Sequence, residues 1–206
     1  RPELVPRPRL IERLNEGLTR KLTLISAPAG FGKTTLVAEW LHQLARTQRS
    51  EATGEEKSVS APQRSSRSAQ MAWLSLDDGD NDPARFWTYV IAALETIQTG
   101  IGQQALAMLQ SPQLPPLDSI LTLLINDTAM VQADLFLILD DYHAIELQAI
   151  HDSLAFFLDH LPPHIHIIIT SRADPPLPLP RLRVRQQLTE LHTADLRFTP
   201  DETAIF

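Results

Sequence analysis

The stretch that decides the fold is Ser26-Ala27-Pro28-Ala29-Gly30-Phe31-Gly32-Lys33-Thr34-Thr35, because it joins an apolar run to an amphipathic one. Residues 22–25 before it are apolar or β-branched, as in a buried strand. A strand, a glycine-rich turn and a helix in this order predict a phosphate-binding loop. The apolar residues after the loop recur at helical spacing and are Leu36, Val37, Trp40, Leu41 and Leu44.

This loop contains the groups that a nucleotide phosphate needs. Backbone N–H groups at the start of a helix converge on phosphate oxygens, and the helix dipole favours negative charge there. Gly30 and Gly32 allow a tight turn and a close approach without a Cβ atom. We expect Lys33 to reach the β- and γ-phosphates and the Thr34 hydroxyl to bind Mg²⁺. The predicted nucleotide contacts in the loop are Ala29, Gly30, Phe31, Gly32, Lys33, Thr34 and Thr35.

The loop departs from the pattern G-x-x-x-x-G-K-[ST] at its first position, where Ala27 replaces glycine. That position is the one least tied to phosphate contact, and a small residue fits there if its φ stays negative. The alternative interpretation is an ordinary strand-to-helix turn with a surface lysine. Because single motif matches include false positives, a partner motif elsewhere in the chain is needed.

The partner follows an uninterrupted apolar strand at residues 135–139, a pattern typical of a strand covered on both faces. The strand ends in Asp140 and Asp141. In phosphate-loop proteins a carboxylate at this place holds Mg²⁺, so Thr34 and Asp140 are the predicted metal ligands. Asp141 is the predicted catalytic residue, which polarises the attacking water. Alone the two aspartates fit a polar strand end, but together with the lysine-threonine loop they indicate a magnesium-nucleotide site.

A further apolar strand, residues 165–169, ends in Thr170-Ser171-Arg172. A polar or basic group at the tip of this strand lies next to the γ-phosphate in many such ATPases. Arg172 is therefore a candidate catalytic residue that senses the γ-phosphate, and a surface arginine in a loop is an equally weighted alternative. His164 and His166 share a strand face, but no third ligand accompanies them, which disfavours a zinc site.

An acidic cluster at residues 77–82 has aspartates at alternate positions, as in a calcium loop. Tyr89 stands where such a loop requires its bidentate glutamate, so we expect turn and helix-cap residues instead. Asp82 is the predicted cap of a helix that opens at Pro83.

Composition describes a globular α/β domain: 206 residues, 43% hydrophobic and 21% charged, without cysteine. The sequence has no apolar run long enough for a membrane span and no signal segment, and a cytoplasmic setting is expected. A net charge of −7 argues against this chain alone holding a nucleic-acid backbone. The chain begins without methionine, and residues 199–206 open like a helix with a Thr199–Glu202 capping box. We therefore expect a single domain, residues 1–206, excised from a larger protein.

Five strands alternate with helices, which predicts a three-layer α/β fold with a parallel, doubly wound sheet. The expected order, 5-1-4-3-2, belongs to the additional-strand division of P-loop NTPases. Residues 1–20 are expected to form an extended arm and a short helix. Arg7 and Arg9 in the arm are candidate ligand contacts, although two solvated arginines fit the spacing better. Residues 47–70, which are polar and nearly free of large apolar side chains, are predicted to be a flexible insertion.

With these motifs the chain resembles the nucleotide-binding domain of MalT-type regulators, the large ATP-binding LuxR-type transcription activators of the STAND class of signalling ATPases. The resemblance covers nearly the whole chain except residues 47–70, and an alanine in the place of Ala27 is usual in that family. The stretches that carry it are Val5-Pro6-Arg7-Pro8-Arg9-Leu10, Ser26 to Thr35, Trp73-Leu74-Ser75-Leu76-Asp77, Arg85-Phe86, Leu139-Asp140-Asp141-Tyr142-His143, Thr170-Ser171-Arg172, Leu182-Arg183-Val184-Arg185 and Asp195-Leu196-Arg197-Phe198.

The resemblance implies a molecular switch. Such proteins rest with ADP, exchange it for ATP when an inducer binds a distant sensor domain, self-associate, and present C-terminal helix-turn-helix modules to DNA. Slow Mg²⁺-dependent ATP hydrolysis resets the state, and neither the inducer-binding nor the DNA-binding part lies in this chain. By the same analogy, the segment of Arg7 borders the adenine.

Three other interpretations remain open on the residues alone. A small-molecule kinase would need an arginine-rich lid, and the polar insertion offers only Arg64 and Arg67. A GTPase would need an Asn-Lys-x-Asp motif after a late strand, which the sequence lacks. A scaffold that binds nucleotide without hydrolysis is disfavoured by the intact Lys33, Asp140 and Asp141.

Overall fold

The computed structural model describes residues 5–53 and 68–203. Five parallel strands form one sheet in the order β2-β3-β4-β1-β5. Counted from β5, this is the predicted order 5-1-4-3-2, with β4 as the additional strand between β1 and β3, so the predicted topology is confirmed. The strands are β1 Leu22–Ser26, β2 Ala69–Ser75, β3 Asp134–Asp140, β4 Ile165–Ser171 and β5 Leu188–His192.

Helices lie between successive strands, before β1 and after β5. They are α1 Pro8–Gly17, α2 Lys33–Thr53, α3 Pro83–Glu95, α4 Gln103–Leu109, α5 Leu117–Ala129, α6 Gln148–His160, α7 Leu179–Val184, α8 Thr193–Leu196 and α9 Pro200–Thr203. Two short 3-10 turns, Asp78–Asp80 and Tyr142–Ala144, follow β2 and β3. Within residues 5–53 and 68–203, no helix is long and apolar enough to cross a membrane.

The sheet is the middle of three layers because its central strands are apolar on both faces. In β3, Leu135, Leu137 and Leu139 join the core formed with α3 to α7. The alternate residues Phe136 and Ile138 join a second core formed with α1, α2 and α8. Side chains alternate across a strand, so this division explains the uninterrupted apolar run in the sequence.

The boundaries predicted around residues 47–70 are wrong at both ends. Helix α2 continues through residue 53, and β2 already begins at residue 69. A polar composition does not mark the end of a helix, because a solvent-exposed final turn needs no apolar face. The rest of the predicted insertion, residues 54–67, lies outside the described residues.

Turns and a proline set the ends of two helices. Helix α3 ends at Glu95, and a series of turns leads from there to Gly100. Helix α5 begins after Pro116, whose φ suits a helix entrance, and Asp118 lies in its first turn without capping it.

The acidic cluster after β2 consists of turn and cap residues, as predicted. The Asp77 carboxylate accepts a hydrogen bond from the Gly79 N–H, and Asp80 accepts one from the Asp77 N–H. Asp82 caps α3 by accepting from the Arg85 N–H at 2.8 Å. The predicted Thr199–Glu202 capping box is also present, with reciprocal bonds of 2.9 and 3.2 Å.

Candidate nucleotide-binding site

The loop between β1 and α2 lies at the carboxyl edge of the sheet, and its glycines are required by the backbone. Gly30 has φ +84° and Gly32 has φ +72°, in the left-handed region that is costly for other residues. A Cβ atom built on either glycine meets no heavy atom within 4 Å. The space beside both glycines is therefore open, as a site that receives phosphate oxygens requires.

Lys33 is buried at the base of this loop, with 7% of its surface exposed. Its Nζ atom donates hydrogen bonds to the carbonyl oxygens of Ala27 at 2.7 Å and Pro28 at 3.1 Å. Burial lowers the pKa of Lys33, and the carboxylates of Asp141 and Asp140 oppose that shift. The ammonium group is thus held by two neutral carbonyl oxygens.

Ala27 itself continues the sheet beyond β1. Its N–H donates to the Ser171 carbonyl at 3.1 Å, and its methyl group is buried in the core beneath α2. An alanine at this position thus adds apolar contact without obstructing the loop.

Thr34 and Asp140 meet across the mouth of the sheet. The Thr34 Oγ1 atom donates to Asp140 Oδ1 at 3.1 Å, although the two residues are 106 positions apart in the chain. A hydroxyl that donates its hydrogen to a carboxylate still has lone pairs free, and oxygen donors are the ligands that Mg²⁺ prefers. The pair therefore fits a magnesium ion.

A second hydroxyl, from Thr170 at the tip of β4, also reaches Asp140. Thr170 Oγ1 donates to the same Oδ1 atom and accepts a hydrogen bond from the Asp141 N–H at 3.0 Å. Asp141 adopts a left-handed conformation, with φ 58° and ψ 38°, and its side chain is half exposed. The sequence Thr170-Ser171-Arg172 predicted a functional residue at this strand end, but the prediction named Arg172 and not Thr170.

The described residues around the loop enclose an open cleft of about 370 Å³. Arg172 is exposed at the end of β4 and lines this cleft together with Asp141. Phe31 is half-buried and packs instead against the core beneath α2. The cleft is lined by Ala29, Gly30, Gly32, Lys33, Thr34, Thr35, Asp141 and Arg172.

His143 is a further residue near the cleft, to which the sequence motifs assign no role. Its Nδ1 atom lies 3.7 Å from Asp141 Oδ1, because the 3-10 turn after β3 folds the ring back towards the aspartate. Burial, assisted by the positive charge of Arg172, lowers the pKa of His143.

Arg7 lies outside the phosphate cleft and is buried. Its guanidinium donates to the carbonyls of Leu196 at 2.5 Å and Arg197 at 3.2 Å, and lies 4.6 Å from the centre of the Phe198 ring. It also lines a second cleft of about 300 Å³ between the arm and α2, with Glu39 among the lining residues. The predicted contact of Arg7 with adenine stays a prediction.

Comparison with known proteins relates the chain to bacterial regulators. It is 36% identical over 202 residues to the HTH-type transcriptional regulator MalT of Cronobacter sakazakii and 37% identical to that of Serratia proteamaculans. In both cases the match covers 98% of this chain and 20% of the regulator, so the chain spans about a fifth of the length of these relatives. No protein-family model matches the chain. The predicted resemblance to MalT-type regulators is confirmed over the part that the chain spans.

Solved structures share the fold at low sequence identity. A STAND protein with a tetratricopeptide repeat sensor from Pyrococcus horikoshii matches 98% of this chain and 24% of its own, with a TM-score of 0.61 and 18% identity. The Cdc6p protein of Pyrobaculum aerophilum (TM-score 0.54, 16% identity) and the ORC1 protein of Aeropyrum pernix in complex with DNA (0.55, 15%) each match 93% of this chain and 47% of their own. These likenesses confirm the P-loop NTPase fold.

Proposed function

We propose that this chain, which has a P-loop NTPase fold and is related over nearly all its length to MalT-type transcriptional regulators, is an ATP/ADP-binding switch domain. In the complete protein the domain would respond to an inducer and control transcription. DNA contact and inducer recognition would belong to other domains, since the chain corresponds to a fifth of its relatives.

The observation that carries the proposal is the contact between Thr34 and Asp140 at 3.1 Å. Two magnesium-type ligands from distant parts of the sequence converge beside a loop built around positive-φ glycines. Bound Mg²⁺ would neutralise charge on the β- and γ-phosphates. An ordinary strand-to-helix turn with a surface lysine accounts neither for this contact nor for the burial of Lys33.

The remaining cleft residues support distinct roles towards the nucleotide. Lys33 would exchange its two neutral carbonyl partners for phosphate oxygens, whose negative charge strengthens a hydrogen bond from an ammonium group. The half-exposed carboxylate of Asp141 would orient and polarise an attacking water. Arg172, which also lines the cleft, would contact the γ-phosphate and distinguish ATP from ADP.

We assign the domain, at most, a slow ATPase activity that resets the switch. The γ-phosphate of ATP would order elements that relax after hydrolysis, and self-association of the complete protein would follow the ATP state. The setting proposed for this cycle is the cytoplasm.

The decisive experiment measures nucleotide binding to the full chain. The purified protein is denatured to identify released nucleotide, and ADP and ATP are titrated into the emptied protein with Mg²⁺ by calorimetry. We expect Lys33→Ala to weaken binding about 10- to 100-fold, the effect of removing charged hydrogen bonds. Equal binding by Lys33→Ala and the wild type would contradict the proposal.

Lys21→Ala is a matched control for this experiment. Lys21 also has a pKa lowered by burial, and its Nζ atom donates to two carbonyls, those of Leu158 and Asp159. It lies at the opposite edge of the sheet, next to the start of β1. Its substitution should leave the affinity for ADP and ATP unchanged, whereas a general loss of folding would affect both variants.

Hydrolysis is tested separately with Asp141→Asn under single-turnover conditions. We expect nucleotide affinity to be retained and the hydrolysis rate to fall about 10²- to 10⁴-fold, as for loss of a general base. If the wild type binds ATP through Lys33 but never hydrolyses it, the domain is a nucleotide-binding scaffold and the ATPase part of the proposal is wrong.

A further inference from the structure

We propose that Thr170 is a positioning residue that fixes the magnesium ligand Asp140 and the candidate base Asp141 in one rigid arrangement. The inference rests on the proposed function and adds to it a residue that the motif interpretation leaves without a role. Thr170 is fully buried at the tip of β4, and other residues line the cleft, so it acts through its neighbours.

The hydrogen bonds of a single hydroxyl carry the inference. Thr170 Oγ1 has one hydrogen, which it donates to Asp140 Oδ1. The same oxygen accepts the Asp141 N–H at 3.0 Å. One side chain thus binds the carboxylate of one aspartate and the backbone of the next, so that neither can move independently.

The sheet places Thr170 where it can make both bonds. Strands β3 and β4 are parallel, and their paired register ends at Leu139 and Ile169. Thr170 and Asp140 are the next residues along each strand, at the point where the backbones separate. A side-chain hydrogen bond there continues the pairing by one more step.

Each aspartate has a reason to need this support. Asp140 Oδ1 accepts from Thr34 as well as from Thr170, so its orientation is set from the loop and from the sheet. Asp141 occupies a left-handed conformation, which residues other than glycine adopt rarely, although aspartate tolerates it better than most. The bond from its N–H to Thr170 holds that conformation and thereby aims the carboxylate at the cleft.

The test separates metal-dependent from metal-independent nucleotide binding. Thr170→Val keeps the shape of the side chain and removes the hydroxyl. We expect ADP affinity in EDTA to stay at the wild-type value, while the gain in affinity on adding Mg²⁺ falls about 10- to 100-fold, as when a partner of a metal ligand is lost. Thr170→Ser, which keeps the hydroxyl, should restore the gain.

Thr128→Val is the matched control. Thr128 is equally buried, and its hydroxyl donates to the Ile125 carbonyl near the end of α5, away from the cleft. This variant should keep the full magnesium effect even if its thermal stability falls. If both valine variants lose the magnesium effect, the loss is a general consequence of removing a buried hydroxyl, and the inference is wrong.

Several other results would also overturn it. One is an unchanged magnesium effect in Thr170→Val, and another is a failure of Thr170→Ser to restore it. If Thr170→Val and Thr170→Ala both fail to fold, Thr170 has a structural role only and the positioning role is rejected. Failure of the proposed function is distinguishable, because the wild type would then bind no ADP in either EDTA or Mg²⁺.

Discussion

Thr34 donates its hydroxyl hydrogen to Asp140 at 3.1 Å, although the two residues belong to different strand-loop units. Thr34 is the second residue of α2, the helix that follows β1, and Asp140 ends β3, which lies two positions from β1 in the sheet. Parallel strands bring their carboxyl ends to one edge, so residues that follow separate strands become neighbours there. The contact joins the phosphate loop to the acidic end of β3.

This contact predicts that Thr34 and Asp140 act on the same ion. Thr34→Val and Asp140→Asn should each reduce the gain in ADP affinity on adding Mg²⁺ about 10- to 100-fold. The double variant should lose little more than either single variant, because both side chains hold one metal. Calorimetric titration of ADP in EDTA and in Mg²⁺ measures this gain for the wild type, both single variants and the double variant. Fully additive losses would mean that the two residues act at separate sites.

The sequence was sufficient to predict the sheet because its central strands carry a strong signal. Strand β3 is apolar at each of residues 135–139, and such a strand has to be covered on both faces. The glycine-lysine-threonine loop then identifies β1 as the strand before it. The two aspartates identify β3 as the strand that supplies the metal ligand, with β4 between the two. Strand order follows from these assignments, since it is characteristic of the fold to which they belong.

The sequence was insufficient where long-range side-chain bonds decide the role of a residue. Arg7 donates a hydrogen bond to the Leu196 carbonyl, 189 residues away, and no local sequence pattern predicts that bond. Thr170 is one of several polar residues at a strand tip, and only the register of β3 and β4 shows which hydroxyl reaches Asp140. The end of α2 was missed because polar residues are compatible with both an exposed helix and a loop.

Arg172 is expected to distinguish ATP from ADP. Arg172→Ala should weaken binding of a non-hydrolysable ATP analogue about 10-fold or more and leave ADP affinity unchanged, because only ATP carries the γ-phosphate that the guanidinium would contact. Competition titrations with both nucleotides measure the ratio. Arg185→Ala removes an arginine of similar type that pairs loosely with Asp159 outside the cleft, and should leave both affinities unchanged. Equal losses for ADP and ATP in Arg172→Ala would assign this arginine to another phosphate.

Substitution of Gly32 is expected to abolish nucleotide binding, an effect separate from the backbone strain that it introduces. Gly32→Ala introduces a Cβ atom at φ +72°, which costs about 1–2 kcal/mol of folding stability, and the methyl group enters the space needed by phosphate. Gly100→Ala is a matched control, since Gly100 has φ +97° and also has open space around a built Cβ atom. Chemical denaturation should show similar destabilisation in both variants. ADP binding should be lost only in Gly32→Ala, and equal ADP binding would exclude Gly32 from the site.

Arg9 is expected to stabilise the junction between the first and last described segments. It donates to the carbonyls of Asp195 and Arg197, both at 2.7 Å, and forms two bonds with the buried Glu202 carboxylate. Arg9→Ala should lower the free energy of unfolding by about 1.5–3 kcal/mol, the range for charged hydrogen bonds. Arg13→Ala removes one exposed ion pair to Asp195 and should cost less than about 1 kcal/mol. Denaturant unfolding measures the free energy of unfolding of both variants. Equal losses would mean that the bonds between Arg9 and Glu202 add nothing to stability.

His151 is expected to make the fold less stable in mild acid. It is buried in α6, where its Nδ1 atom lies 2.9 Å from the Tyr142 hydroxyl, and burial lowers its pKa below the usual 6.5, with Asp152 opposing the shift. In the unfolded chain this histidine binds a proton near pH 6.5, whereas the folded protein resists protonation until a lower pH. The unfolded state therefore holds more protons in that window, and the unfolding free energy falls as pH decreases from 6.5 towards the folded pKa.

Thermal unfolding between pH 8 and pH 5 measures this dependence. His151→Gln should be less stable than the wild type at pH 8, because the buried Tyr142 hydroxyl loses its usual partner, but its melting temperature should fall less on acidification. His160→Gln alters an exposed histidine of the same helix, whose ring bonds the Phe156 carbonyl, and should keep the wild-type slope. A His151→Gln variant with an unchanged slope would assign the acid sensitivity to another group, and His143, whose pKa is also lowered by burial beside Asp141, would be the next residue to substitute.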